Sequence, residues 1–374
     1  MKSNSPKLIL VSTLILISIH CSEINERDPP ETVSEVLNEL VLSSPFQYIN
    51  LDEIETQDFD LSDEDIIYSM NKEVLNGEIF LGFIRGFTRY NGHLFVYDSR
   101  ANGIFRIDSD GNLIGPLTRE GKGPGEHLSV QTLTSNSKYL YAIDANNARI
   151  NRYTHEMVAV DPLMEFSAHS AMISVSLNDE RIMTENGKSV GFAPGNPEEG
   201  LVTISSISNL TDTLATILPR IIPPGYQPNV YNTPKFSING RNKMAASYSP
   251  LPWLFLFDEH FHHTRTLILE YSVFDDMDLP ELEFFRPLGN EGFGGSIPVN
   301  HFRLLDDGEL FIIIRNELIR LSPSETGKYQ LTGKYKFNYP REESMWTMDI
   351  ISSDNKHDFY GVNWEYLFRF SLPD

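Results

Sequence analysis

The feature that most constrains this chain is an internal repeat. Sliding the sequence by 46 residues places Leu94, Phe95, Asp98, Ile104 and Arg106 on Leu140, Tyr141, Asp144, Ile150 and Arg152. LFVYD followed by GIFRID thus returns as LYAID followed by ARINRY. Each copy is a short run rich in β-branched and aromatic residues that stops at Asn, Asp or Gly, the pattern of strands joined by tight turns. Weaker copies follow as RIMTE ending at Glu185, KMAAS ending at Ser247, LFIII ending at Ile314 and FYGVN ending at Asn363. One such unit cannot bury both of its faces, whereas units stacked around an axis can. Six copies at spacings of about 40 to 65 residues, with partner runs such as Trp253 to Phe257, Leu318 to Leu321 and Leu367 to Phe370, predict an all-β, six-bladed β-propeller of four-stranded antiparallel blades. The last copy runs almost to Asp374 and leaves no room for a fourth strand. An N-terminal strand within Ile66 to Ile79 is expected to complete that blade and close the ring.

The N-terminus reads as an export signal. Lys2 and Lys7 accompany Leu8 to Ile19, a stretch of twelve residues broken only by Ser12, Thr13 and Ser18 and too short to span a bilayer comfortably. Cys21, the single cysteine, lies just beyond it. The segment resembles a bacterial lipoprotein signal, which implies that Cys21 is the lipidated residue. His20 stands where such signals carry a small residue, so a periplasmic or secreted form stays open beside lipid anchoring to the cell membrane or outer membrane. Residues 1–20 are assigned to the signal peptide, 21–45 to an acidic tether with a short helix within Thr32 to Leu42, and 46–374 to the propeller.

Composition narrows the function. Thirty basic against 52 acidic side chains give a formal charge of −22, which repels phosphate backbones and anionic lipid. No nucleic acid is expected as a partner, and contact with a membrane is expected only through the lipid anchor. A lone cysteine excludes a disulfide scaffold and a multi-thiolate metal site. No nucleophile elbow, zincin helix, Walker loop or dinucleotide fingerprint is present, and no cofactor or metal is expected.

The run LFVYDSRANGIFRIDSDGNLIG followed by GKGPGE resembles the first blade of the six-bladed propeller lipoproteins of Bacteroidetes-type bacteria, and is similar to NHL-like and TolB-like repeats. The resemblance is clearest from about Gly86 to Tyr153. It implies the fold and no particular activity, because most members of that family have none assigned.

Strand parity sorts the loops. With the innermost strand first, the loop between the second and third strands of a blade shares a face with the connection to the next blade. Arg100, Asn147, Trp253, Arg315 and Trp364 fall in or beside such loops, Tyr226 and Phe293 in the blade connections, and Trp346 at the start of the sixth inner strand. Flat apolar rings beside Arg and Asn suit a glycan, a peptide or an envelope protein bound by a monomer. The competing reading places Trp253 and Trp364 in the core between blades.

Other motifs carry a similar choice. GKGPGE, with Lys122, is either an anion nest or a tight inter-blade turn. Asp98 and Asp144 either cap turns or act as an acid/base pair. Asp108 to Asn112 imitates a calcium loop without its distal glutamate and reads as a hairpin turn, as does the HFHH run at His260, His262 and His263. The enzyme alternative is a propeller hydrolase or lyase with an axial metal. It requires His127, His169, His301 and Glu126 to converge on one cavity.

Overall fold

The computed structural model describes residues 35–62, 64–69, 83–108, 112–165, 174–185, 200–221, 233–249, 251–275, 299–339, 349–352, 358–362 and 366–372. An eight-residue helix, α1 (Glu35–Leu42), leads into three strands of an N-terminal strap: β1 (Phe46–Asn50), β2 (Gln57–Asp60) and β3 (Ile66–Ser69). Blade 1 contains β4 (Ile84–Tyr90), β5 (His93–Asp98), β6 (Gly103–Ile107) and β7 (Leu113–Ile114). A small parallel pair, β8 (Arg119–Glu120) and β9 (Glu126–His127), lies in the connection to blade 2. Blade 2 holds β10 (Val130–Ser135), β11 (Leu140–Asp144), β12 (Arg149–Tyr153) and β13 (Ala159–Glu165). Blade 3 holds β14 (Val175–Leu177), β15 (Arg181–Glu185), β16 (Gly200–Ser206) and β17 (Asn209–Pro219).

Blade 4 follows with β18 (Pro234–Ile238), β19 (Met244–Tyr248), β20 (Trp253–Phe257) and β21 (His263–Glu270). Blade 5 comprises β22 (His301–Leu304), β23 (Leu310–Ile314), β24 (Glu317–Pro323) and β25 (Tyr329–Asn338). Blade 6 supplies β26 (Asp349–Ser352), β27 (Asp358–Val362) and β28 (Tyr366–Ser371). These sheets form a six-bladed β-propeller. The six repeat copies read from sequence are the second strands, from β5 to β27.

The ring closes through the N-terminus. β3 pairs antiparallel with β28 as the fourth strand of blade 6, within the segment expected for it. The strap does more than the sequence suggests. Before reaching blade 6 it adds β1 in parallel to β21 of blade 4 and β2 in parallel to β25 of blade 5, so each of those sheets has five strands. Phe46, Ile49, Leu51, Leu61 and Ile66 of the strap are all buried. Polar clasps reinforce it: Tyr329 N–H donates to Gln47 Oε1 at 2.9 Å, and Lys334 Nζ donates to the Leu51 carbonyl at 2.9 Å. Helix α1 sinks Leu37 and Val41, both fully buried, into the cluster between blades 3 and 4. From Glu35 onward, then, the segment read as the end of the tether packs against the body.

Six hydrophobic clusters fill the six interfaces between neighbouring blades. Each second strand buries both faces, which is why it reads as an unbroken apolar run. At the turns between first and second strands, a repeated asparagine ties blade to blade. Oδ1 of Asn136, Asn178 and Asn239 accepts two N–H groups of its own turn. Nδ2 of each donates to the carbonyl at the same place in the next blade: Asn178 (3.3 Å), Asn239 (2.7 Å) and Leu305 (2.9 Å). Blades 2 to 5 are therefore linked in series on the turn face.

His263 sits where α1 runs into β1. Its ring nitrogens meet Ser43 Oγ at 2.9 Å, Ser44 Oγ at 3.1 Å and Thr266 Oγ1 at 3.1 Å, and burial pushes its pKa down to about 4. The unfolded chain takes up this proton near pH ~6.5 and the folded one only near pH 4, so the stability contribution is complete above pH ~6.5 and declines as the pH falls to about 4. At about 1.4 kcal/mol per pKa unit the loss is at most about 3 to 4 kcal/mol. Urea melts at pH 7 and pH 4.5 are expected to show this decline in the wild type and a smaller one in His263→Gln; equal declines would contradict it.

Candidate functional site

The described part of the loop face is dominated by the connection between blades 1 and 2. The GKGPGE element is held by blade 2. Arg149 Nη2 donates to the carbonyls of Gly123 (2.7 Å) and Glu126 (2.8 Å), Asn147 Nδ2 to Gly121 O (2.9 Å), and Tyr153 Oη to Gly125 O (3.2 Å). Its nest is already filled from within. Gly123 N–H donates to Glu126 Oε2 at 2.7 Å, which lowers the pKa of that carboxyl, with Arg119 beside it at 2.7 Å as a lesser cause. A Cβ on Gly121 would come within 2.0 Å of the same oxygen, and the residue's φ of +154° already favours glycine. The element is thus an inter-blade staple that carries its own anion.

Asp98 and Asp144 are fully buried and act as caps. Asp98 accepts N–H groups from Phe83 (2.6 Å), Arg100 (2.9 Å) and Ala101 (2.6 Å). Asp144 accepts those of Leu128, Ser129 and Asn147, together with Asn147 Nδ2 at 2.7 Å. Each ties the 2–3 loop of a blade to the chain entering its inner strand. Asn112 N–H closes the Asp108 turn on Asp108 Oδ1 at 2.8 Å, and Asp258 Oδ1 accepts the N–H groups of His260 and His262, as expected of hairpin turns.

Of the residues expected on the loop-face rim, four are described. Arg100 is exposed and Arg315, in the tight turn after β23 with φ +55°, is half-buried. Asn147 is committed to Asp144 and Gly121. Trp253 is only 3% exposed; it begins β20 and packs with Phe255, Tyr248 and Phe236 between blades 3 and 4, which follows the core reading rather than the rim one. Tyr226, Phe293, Trp346, Trp364 and Cys21 lie outside the described residues.

Of the groups required for an axial metal, the three that are described serve separate parts of the fold. His127 is fully buried at the staple, with Nε2 3.1 Å from Asn102 O and its ring edge-on to Tyr97, and burial lowers its pKa. Glu126 is spent on the nest. His301 is on the inner strand of blade 5, and His169 lies outside the described residues. Among the described residues no cluster of three His, Cys, Asp or Glu side chains is placed to hold a metal.

A cavity does occur on the axis. Its volume is about 560 Å3, and its walls come from the inner strands of five blades: Thr88–Tyr90, Thr132–Ser135, Val175–Leu177, Phe236–Ile238 and His301–Arg303. Asn91, Gly92, Asn136 and Ser137 carry the wall onto the turn face, opposite the loop face. The wall is built from hydroxyls and cations. Ser135 Oγ donates to Arg89 O at 2.5 Å, Ser176 Oγ accepts Ile238 N–H at 3.0 Å and Ser237 Oγ accepts Leu304 N–H at 3.2 Å, so these side chains join neighbouring inner strands. Arg89, His301 and Arg303 face the same space. Beside it on β18, burial pushes the Lys235 ammonium down to about 7 while it donates to Asn300 O at 2.8 Å.

Apart from His301, none of these residues stands out in the sequence, because they are spread over five blades. No protein-family model matches the chain, and no curated protein matches it. Solved structures do. A Bacteroides fragilis protein designated as exported superposes with a TM-score of 0.55 at 13% identity, over 87% of this chain and 100% of that one. A gluconolactonase from Xanthomonas campestris gives 0.46 at 10% identity over 82% and 89% of the two chains. Virginiamycin B lyase from Staphylococcus aureus gives 0.41 at 14% identity over 78% and 84%. At such identities the likeness is one of fold.

Proposed function

We propose that the chain is an exported binding propeller of the cell envelope that seats a small polar ligand in its axial cavity. The observation behind this is the cavity itself: about 560 Å3, within the ordinary range of ligand sites, and walled by polar side chains on rigid inner strands. The loop face, with Arg100 and Arg315, remains the surface for a glycan, peptide or envelope protein. The hydrolase or lyase alternative draws no support from Glu126, His127 and His301, which serve different parts of the fold. A screen of small polar solutes by thermal shift on the full chain tests the reading. A ligand found this way should lose at least about tenfold in affinity in Thr134→Trp, which narrows the cavity, and bind normally to Arg100→Ala/Arg315→Ala. The reverse pattern would move the site to the loop face.

Export rests on the Lys2 to Ile19 segment, and anchoring on Cys21. No helix among the described residues is long and apolar enough to cross a membrane. Cys21→Ala is expected to shift the protein from the membrane pellet to the soluble fraction of lysed cells. Unchanged partition would rule out the lipid anchor.

A further inference from the structure

Arg220 is a buried cation without a counter-ion. It follows directly on β17, the outermost strand of blade 3, and is only 2% exposed. Its Nε and Nη2 are sealed from solvent and have no hydrogen-bond partner. Carboxylates do occur on the elements that pack around the seam between blades 3 and 4: Glu185 ends β15, Glu39 lies on α1 and Glu270 ends β21. Among the described residues none forms an ion pair with Arg220; Glu185 and Glu270 are engaged by other groups, and Glu39 is exposed. Tyr248 donates through Oη to the carbonyl of the preceding residue, Pro219, at 2.6 Å. Burial pushes that phenol well above its usual range, so it stays protonated and cannot serve as the counter-ion. The flanking Leu218 and Ile221 belong to the apolar cluster between the two blades.

An uncompensated charge in a low-dielectric seam is strongly destabilising, and a counter-charge with matching hydrogen bonds removes the penalty. The two open donors define what fits. Nε and Nη2 lie on one edge of the guanidinium with their N–H groups parallel, the fork that two oxygens of one carboxylate or phosphate accept together. Water can accept those protons but cannot neutralise the charge. We propose that the Nε–Nη2 edge of Arg220 is an oxyanion site, receiving the carboxylate or phosphate group of a small ligand at the loop-face end of the seam between blades 3 and 4. The site is separate from the axial cavity, because Arg220 is not among the described residues of that cavity's wall and leaves the outer rather than the inner strand of its blade.

Thermal melts of the full chain in chloride, with the chloride replaced by acetate or phosphate at equal ionic strength, test it. The wild-type midpoint is expected to rise by at least about 2 °C at about 20 mM of at least one of the two oxyanions, and the larger rise tells carboxylate from phosphate as the better-fitting group. Arg220→Met keeps an apolar stem without the charge; in chloride it should melt at or above the wild-type midpoint, and it should show at most about a quarter of the oxyanion shift. Arg220→Lys, a charge without the fork, should retain less than about half of the shift. Thr134→Trp should keep all of it, and loss of the shift there would place the anion on the axis and overturn the assignment. Equal shifts in wild type and Arg220→Met would be a general salt effect and contradict the proposal, as would the absence of a shift with either anion. Glu198 and Glu199, just before β16, lie outside the described residues. A shift that emerges only in Glu198→Gln/Glu199→Gln would show that the chain supplies its own counter-ion, which likewise overturns the ligand site.

Discussion

Deleting residues 46–69 is expected to abolish cooperative unfolding. That segment supplies the outer strand of blade 6 and the fifth strands of blades 4 and 5. Its five buried apolar side chains, Phe46, Ile49, Leu51, Leu61 and Ile66, contribute roughly 2 kcal/mol each, or about 10 kcal/mol together. That is of the size of a whole domain's stability, about 5 to 15 kcal/mol. Removal also bares β21, β25 and β28 as unpaired edges, which invites aggregation. Differential scanning calorimetry is the measurement. A truncated chain that melts sharply at the wild-type temperature would show that the ring closes without its strap.

Trp253→Ala is expected to cost about 3 to 5 kcal/mol, the range for emptying a large aromatic site in a core. The side chain is 3% exposed and is enclosed by residues of both blade 3 and blade 4. The loss should appear as a lower urea midpoint with an unchanged slope. A variant of wild-type stability with impaired binding of a loop-face partner would instead return Trp253 to the rim.

The fold was legible where burial on both faces writes an unbroken apolar run. β11, β19 and β23 are five-residue strands with every residue buried, and their copies align by eye. The strap was only partly legible. β3 could be inferred because the last blade lacked a strand, but β2 reads QDFD, with three polar residues in four, and joins its sheet through backbone bonds that leave little mark on the side chains. Short or interrupted strands were equally silent: β14 has three residues and β13 contains Pro162.

The site was less legible than the fold for a geometric reason. Arg89, Thr134, Ser176, Ser237 and Arg303 share a cavity only because five blades converge, and no local motif joins them. The total charge of −22 concealed five inner strands that carry no Asp or Glu, since a sum over the chain cannot show which strands are innermost. One signal was within reach. An asparagine follows directly on β10, β14 and β18, at Asn136, Asn178 and Asn239, and marks the turn face on which the cavity wall ends.

Hydrogen exchange measured by mass spectrometry, with and without the ligand found by the thermal-shift screen, tests most directly where the ligand sits. Slower exchange in peptides covering Thr88–Gly92, Thr132–Ser137 and His301–Arg303, with the loops at 99–102 and 315–316 unchanged, is the result expected of an axial ligand site. Protection confined to those loops, with the inner strands unaffected, would contradict it.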